Sequence, residues 1–386
     1  MNKLSIKFAA ALCGATILAA TPTFAAEDYV VGITAAQSGW LAAYDQPAYA
    51  GFKFCADEIN AKGGLAGKHK IVIDIRDTRS DTAETVKLAQ EFVDKKVNFI
   101  IAPSDGDPTM AMGQITSPAG IPIMSPNGTA PILTSVGEFV FGAYPADNQQ
   151  AAVLGAYAAE LGYKTTWLLK SPDAAYLLKG PEYFGQVFEA KGGKVIGEGS
   201  FTLNQPDFSA IVTTIKALDP PPDVIMTSAW EPDFPAFIKA LRGAGVNIPV
   251  MGADALDTPS VRALGDVVNG VVHTSGGFTD PGSKQADFAA RFKAATGTEV
   301  DTNYIVSGCD VAGMLDAAVT AAGSTDPKAV RDALANLKDV PGIMSDYTFA
   351  GTDRMPLRAV VLAKIENGQK IFIRREMADP ATMPKP

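Results

Sequence analysis

The chain has 386 residues and a formal net charge of −9, from 42 acidic and 33 basic residues, with 3 Cys and 2 His. That length suggests two domains of ordinary size, and an acidic chain with no Lys/Arg run repels a phosphate backbone, so nucleic acid is not expected as a partner. Apolar residues at 47% and charged residues at 19% describe a globular chain, and two His with scattered Cys leave too few ligands for most zinc sites. No metal or cofactor is expected.

Residues 1–25 read as a secretory signal. Lys3 and Lys7 open it, a 13-residue apolar run covers Phe8 to Ala20, and Pro22-Thr-Phe-Ala25 offers a small-residue cleavage site. Cleavage after Ala25 puts Thr23 and Ala25 at the small positions. The run is too short to span a bilayer, and no other stretch is read as reaching that length. Cys13 lies inside the run after Leu12, so a lipid anchor is not expected. Loss of Lys3 and Lys7 takes the charge from −9 to −9 − 2 = −11. In the oxidising compartment beyond, Cys55 and Cys309 are read first as two buried thiols, with a disulfide as the alternative.

From Tyr29 the chain alternates β-branched runs with helical patterns. Strands are expected at Tyr29–Thr34, Ile71–Ile75, Asn98–Ala102, Ile121–Met124 and Phe139–Phe141. Between them, helices are expected at Ala48–Lys62 and after Asp81, where Glu84 completes a capping-box pattern. The pattern then restarts: helices at Gln149–Leu161, Lys179–Ala190, Phe208–Leu218 and Pro232–Ala244 alternate with strands at Thr166–Leu169, Lys194–Ile196, Val224–Thr227 and Ile248–Met251. Helices follow at Lys284–Thr296, Ile305–Ala322 and from Asp326-Pro327 to Leu337, where Pro suits a first turn. Val360–Lys364 and Ile371–Arg375 flank Asn367-Gly368, a hairpin signal. Buried strands separated by amphipathic helices imply α/β lobes with parallel sheets covered on both faces.

Catalytic patterns find no support. There is no Gly-x-Ser-x-Gly and no Ser-x-x-Lys, and a Ser-His-Asp triad would need His69, in a turn expected to be solvated, or His273, read as structural. No phosphate loop follows the first strand, which runs into Ala35-Ala-Gln-Ser-Gly-Trp40. Ligand chemistry has a better footing. In open parallel sheets small molecules bind beyond the carboxyl ends of strands, and there the strand at Ile123 runs into Ser125-Pro-Asn-Gly-Thr129, whose N–H and hydroxyl groups suit a carboxylate.

These features, together with Ala50-Gly-Phe52, Glu58-Ile-Asn-Ala-Lys-Gly-Gly64, Ile101-Ala-Pro103, Pro122-Ile-Met-Ser-Pro126, Pro249-Val-Met-Gly252 and Ala322 to Leu334, resemble the Leu/Ile/Val-binding protein family. The resemblance covers nearly the whole chain after the signal. It implies a type I periplasmic-binding fold: two doubly wound parallel-sheet lobes, 26–145 plus 274–341 and 146–273 plus 342–386, joined by hinge strands. It also implies a monomeric periplasmic protein of an ABC-type amino-acid importer, which closes on a small ligand, hands it to a membrane permease and does no chemistry.

By the same resemblance Asn127, Gly128 and Thr129 hold the ligand carboxylate and part of its ammonium group. Tyr176 and Trp230 come from the second lobe, Asp254 pairs with the ammonium, and Tyr44, with Trp40 nearby, shields the side chain. Two departures bear on specificity. Gly106 stands where the family often has Ser, between Asp105 and Asp107, and Asp254 stands where Glu is common. An aromatic carboxylate or an amide is therefore an alternative ligand for a pocket lined by Trp40, Tyr44, Tyr176 and Trp230, and a secreted hydrolase is the distant alternative.

Overall fold

A computed structural model describes residues 28–386; the signal segment expected at 1–25 lies outside the described residues. In chain order the first part runs β1 (Tyr29–Ala35), α1 (Ala42–Ala61), β2 (Ile71–Asp77), α2 (Thr82–Lys95), β3 (Phe99–Ile101), α3 (Gly106–Thr116), β4 (Ile123–Ser125) and β5 (Val140–Gly142). The second runs α4 (Asp147–Glu160), β6 (Thr165–Lys170), α5 (Ala175–Ala190), β7 (Lys194–Ser200), α6 (Ser209–Lys216), β8 (Val224–Thr227), α7 (Asp233–Gly243), β9 (Val250–Gly252), the single-turn α8 (Pro259–Arg262) and β10 (Val272–Ser275). There follow α9 (Lys284–Thr296), α10 (Asn303–Ala322), α11 (Pro327–Ala335), β11 (Val360–Glu366) and β12 (Gln369–Glu376).

The strands form two sheets. The first is parallel throughout, in the order β2-β1-β3-β4-β5. The second, β7-β6-β8-β9-β10, repeats that order with parallel pairs and then adds β11 and β12 antiparallel at its edge. Each sheet thus reverses direction of growth beside its first strand, and the crevice at that point opens at the strands' carboxyl ends.

Local chemistry explains most element boundaries. Asp81 accepts a hydrogen bond from the Glu84 main-chain N–H at 2.7 Å, so the expected cap forms. The reciprocal half of the box does not: the Glu84 carboxylate turns to Arg79 and Lys87, and the Asp81 N–H donates to the Thr78 carbonyl. Asp326 caps α11 through the Ala329 N–H at 2.9 Å, with Pro327 in the first turn. The β11–β12 turn uses Asn367 and Gly368 at φ of 50° and 72°, as a two-residue hairpin with positive φ at both positions requires.

Several expectations need correction. α1 begins at Ala42, with Pro47 tolerated inside it, and not at Ala48. α3 was not expected at all, because Gly106-Asp-Pro108 has the composition of a turn; Pro108 sits in its first turn, where an N–H has no helical partner anyway. α10 is, by length and composition, apolar enough to cross a membrane, contrary to the expectation that nothing beyond the signal is; it is instead a core helix, largely buried against α1. Cys55 of α1 and Cys309 of α10 are not free thiols but a disulfide, with Cα atoms 5.2 Å apart. The two helices approach that closely because Gly51 and Gly308 lie at their crossing: a Cβ on either would run into main-chain oxygen of the other helix.

The chain passes between the sheets after β5, after β10 and before β11, and these passages are tied together. Tyr144 Oη accepts from the Gly276 N–H at 2.6 Å. The fully buried Arg358 donates to the carbonyls of Ala143 at 3.0 Å and Ser345 at 2.7 Å and pairs with Asp310. Gln149 Nε2 donates to the Pro356 carbonyl at 3.0 Å. Met344, Tyr347 and Phe349 pack in the core of the first sheet, and Met355 packs in a second cluster with Val140 on that side. The packing changes sheets near Arg358, with Val360 and Leu362 in a cluster of the second sheet.

Candidate ligand cleft

The carboxyl ends of the strands in both sheets converge on one cavity of about 390 Å³, counted out to its mouth. The two sheets contribute in matched fashion. The loop after β1 and the start of α1 supply Trp40, Leu41 and Tyr44; the turn after β3 supplies Ser104, Asp105 and Gly106; the loop after β4 supplies Asn127, Thr129 and Ala130. Opposite them, Tyr176 opens α5 after β6, Trp230 follows β8, and Asp254 with Ala255 follows β9.

Eight of the nine residues expected at the site line this cavity: Trp40, Tyr44, Gly106, Asn127, Thr129, Tyr176, Trp230 and Asp254. Gly128 does not. Its N–H is used inside the loop, donating to Ser125 Oγ at 2.8 Å. Gly106 sits where a Cβ would come 3.1 Å from the Ala130 Cβ, so its lack of a side chain lets the start of α3 sit close under the β4 loop. The Asn127 amide is held on both sides, donating to Ser104 Oγ at 2.9 Å and accepting from the Ser307 hydroxyl.

Aromatic rings bridge the two sides. Trp40 stacks on Trp230 with centroids 4.6 Å apart and planes at 20°, and Trp230 stacks on Tyr176 at 5.6 Å and 8°. The Glu231 N–H donates to Tyr44 Oη at 3.3 Å, and the Ala175 N–H donates to Asp107 Oδ2 at 3.3 Å. These bonds and stacks cross from one sheet's loops to the other's, which is the geometry of a closed cleft.

Six lining residues were not assigned from the sequence, Leu41, Ser104, Asp105, Ala130, Ala255 and Tyr304, and of these Tyr304 lies farthest along the chain from any expected site residue. It lines the cavity from the first turn of α10 and meets Tyr44 edge-on at 5.3 Å. Within an apolar core helix its ring reads as one more buried side chain; only the polar Thr302 cap just before it marks a helix start that could face a cleft.

Burial dominates the electrostatics. Asp254 accepts from Tyr176 Oη at 3.3 Å, yet its pKa is pushed up to about 7 by burial, against the opposing hydrogen bonds of Gln150 and Tyr176. Asp105 is also raised to about 7, by burial and then by the neighbouring charge of Asp107. Asp45 is raised to about 6 by burial, although the N–H groups of Ala36 at 2.7 Å and Ser104 at 2.7 Å favour its ionised form. Behind Thr129, Asp147 is raised well above the usual carboxyl range by burial. Neither His lines the cavity: His273 lies buried on β10, its Nδ1 2.8 Å from the Thr274 carbonyl and its pKa held down to about 4 by burial, and His69 lies in the turn before β2.

The sequence profile of the periplasmic binding protein family matches residues 28–370. The chain belongs to that family. Among relatives of this periplasmic binding protein, the Leu/Ile/Val-binding protein BraC3 of Rhizobium johnstonii is 26% identical over 346 residues, 89% of this chain and 93% of the relative. Leu/Ile/Val-binding protein homolog 1 of Brucella abortus is 26% identical over 345 residues, 88% of this chain and 91% of its own. Among solved structures, the branched-chain amino acid transporter substrate-binding protein LivJ of Streptococcus pneumoniae, in complex with isoleucine, superposes with a TM-score of 0.82 at 24% identity, over 92% of this chain and all of that one. A solute-binding protein of an ABC transporter from Rhodopseudomonas palustris BisB5, in complex with 3,4-dihydroxybenzoic acid, superposes at 0.81 and 22% identity, over 92% and 99%. These likenesses establish the type I periplasmic-binding fold.

Proposed function

We propose that this periplasmic binding protein is the ligand-capturing component of an ABC-type importer for an amino acid or a related small molecule, closing its two lobes on the ligand and presenting the closed form to a membrane permease. The observation that carries the reading is the convergence, on one cavity, of loops after β1, β3 and β4 with loops after β6, β8 and β9. A ligand touching both sets of loops stabilises the closed state over the open one, and that difference is what a permease can sense. In this reading Thr129 and the Asn127 loop take one end of the ligand, Asp254 takes an amine, and Trp40, Tyr44, Tyr176 and Trp230 wall the side chain. The first lobe comprises residues 28–145 and about 276–358, the second about 146–275 and 359–386, the late boundary following the packing of Met344 to Met355. The chain is exported, cleaved after Ala25 and works as a monomer without nucleic acid, cofactor or catalytic step.

An aromatic carboxylate is the second reading, supported by the Trp40–Trp230–Tyr176 stack in the cavity wall. A thermal-shift screen against amino acids, amides and aryl acids tests both. A ligand at 100 times its Kd stabilises by about 2.7 kcal/mol, which moves the midpoint by several degrees. Recovery of a chemically altered ligand would overturn the binding-only reading.

A further inference from the structure

The walls of the cavity carry charge of one sign. Asp105 and Asp254 line it from opposite sheets, and no Lys, Arg or His lines it among the described residues. Asp105 is only 8% exposed and stands at the start of α3, where the main-chain N–H groups of Gly106 and Asp107 favour its ionised form but no basic side chain pairs with it. One layer back, Asp147 is 3% exposed, and the Thr129 side chain is the one group favouring its ionised form, with no cation beside it; with Gln150 and Thr274 it lines a smaller cavity. The basic groups of this region serve other acids: Lys370 and Arg262 pair with Asp257, and Arg358 pairs with Asp310.

Unpartnered buried carboxylates are costly, and the cost is relieved by a cation brought close or by protonation. Asp254 alone answers the ammonium of a zwitterion. Asp105, on the other side, has main-chain N–H groups but no cationic side chain to answer it, and it lies on the side of the cavity where a ligand carboxylate would have to approach. Five aromatic rings around the cavity add walls that tolerate an ammonium group better than they tolerate an anion.

Resting on the import reading above, we propose that the ligand is a cation, an amine-bearing small molecule with more positive than negative charge, whose second positive group is seated at Asp105 while the first is seated at Asp254. A basic amino acid or a diamine satisfies both carboxylates. A neutral zwitterion satisfies one, and an aryl carboxylate meets two like charges.

The test is titration calorimetry of the signal-free protein with three matched charge classes: L-lysine and putrescine as cations, L-leucine as the zwitterion, and benzoate as the anion. The expected order is a cation binding at least tenfold tighter than leucine, with benzoate weakest. Asp105→Asn, which keeps the side-chain shape, is expected to weaken the cation at least tenfold and leave leucine within threefold, so the preference collapses. Leucine or benzoate binding tighter than both cations, or a cation preference untouched by Asp105→Asn, overturns the proposal and leaves the import reading standing. If Asp105→Asn fails to fold, the order of the three classes on the unsubstituted protein decides alone. Silence from all three classes overturns the charge assignment and counts against the import reading as well.

Discussion

Tyr304 on α10 donates its phenol O–H to the main-chain carbonyl of Asp254 at 2.6 Å. A helix that builds the core beside the first sheet is thereby fastened to the loop that follows β9 of the second, and the bond has to break for the cleft to open. A neutral hydrogen bond contributes about 0.5 to 1.5 kcal/mol. Tyr304→Phe is therefore expected to weaken ligand binding by about threefold to tenfold and to leave the melting midpoint of the ligand-free protein close to normal. Small-angle scattering supplies the second readout: a smaller radius of gyration with ligand than without, and a larger mean radius for Tyr304→Phe at equal subsaturating ligand. Full affinity in the variant would show that the bond does not bias closure.

Asp254 is placed to answer an amine. Asp254→Asn removes the charge and keeps the shape, and truncating one partner of a buried charge pair costs about 2 to 5 kcal/mol. Calorimetry should show that loss for any amine-bearing ligand, with Tyr176 still able to meet the new amide. Unchanged affinity would move the amine elsewhere in the cavity.

Stability should fall as pH rises from 5 to 8 in the ligand-free protein. Asp45, raised to about 6, and Asp105 and Asp254, each raised to about 7, hold more protons when folded than when unfolded across this window. Their contributions are full below pH 4 or so and are lost as pH rises through those values. Asp147 is shifted the same way. His273, held down to about 4, acts in the opposite sense, adding stability as pH rises from about 4 to 6.5, but it is one group against several. Differential scanning fluorimetry at steps of pH should find the midpoint several degrees higher at pH 5 than at pH 8, with a flatter profile in Asp105→Asn. A profile rising over that range would contradict the assignment of buried, cation-free carboxyls.

The Cys55–Cys309 disulfide closes a sequence separation of 254 residues, a span for which the chain-entropy estimate is at the high end of the 2 to 5 kcal/mol that native disulfides contribute. The double variant Cys55→Ala, Cys309→Ala should unfold at lower denaturant by a comparable free energy while binding ligand with near-normal affinity, since neither residue lines the cavity. Equal midpoints for the oxidised protein and the double variant would mean that the close packing at Gly51 and Gly308 does the work alone.

What could be seen in the sequence follows from how local each determinant is. β-Branched runs such as Val224–Thr227 and capped helices such as Lys284–Thr296 carry their own signals and lie where the residues place them. Residues in strand-end loops, Thr129, Trp230 and Asp254 among them, were accessible through the general rule that such loops face ligand and through family likeness. Tyr304 was not, because the fact that brings it to the cleft is the packing of α10 across α1, a contact between segments some 250 residues apart. The disulfide was hidden for the same reason: a Cα separation of 5.2 Å is a property of the crossing, not of either helix. The charge at Asp105 was noticed in the sequence, but its lack of a basic partner is a statement about every side chain around it.

That helix crossing also sets an order of events. A chain delivered amino end first completes α1 and the strands of its own sheet long before α10 exists, because the whole of the second sheet's parallel core is made in between. Until then α1 lacks the surface it packs on, and Cys55 has no native partner within reach. The thiol therefore stays without its native partner until α10 is made, and a segment that comes late in the chain is the one that locks the earliest helix.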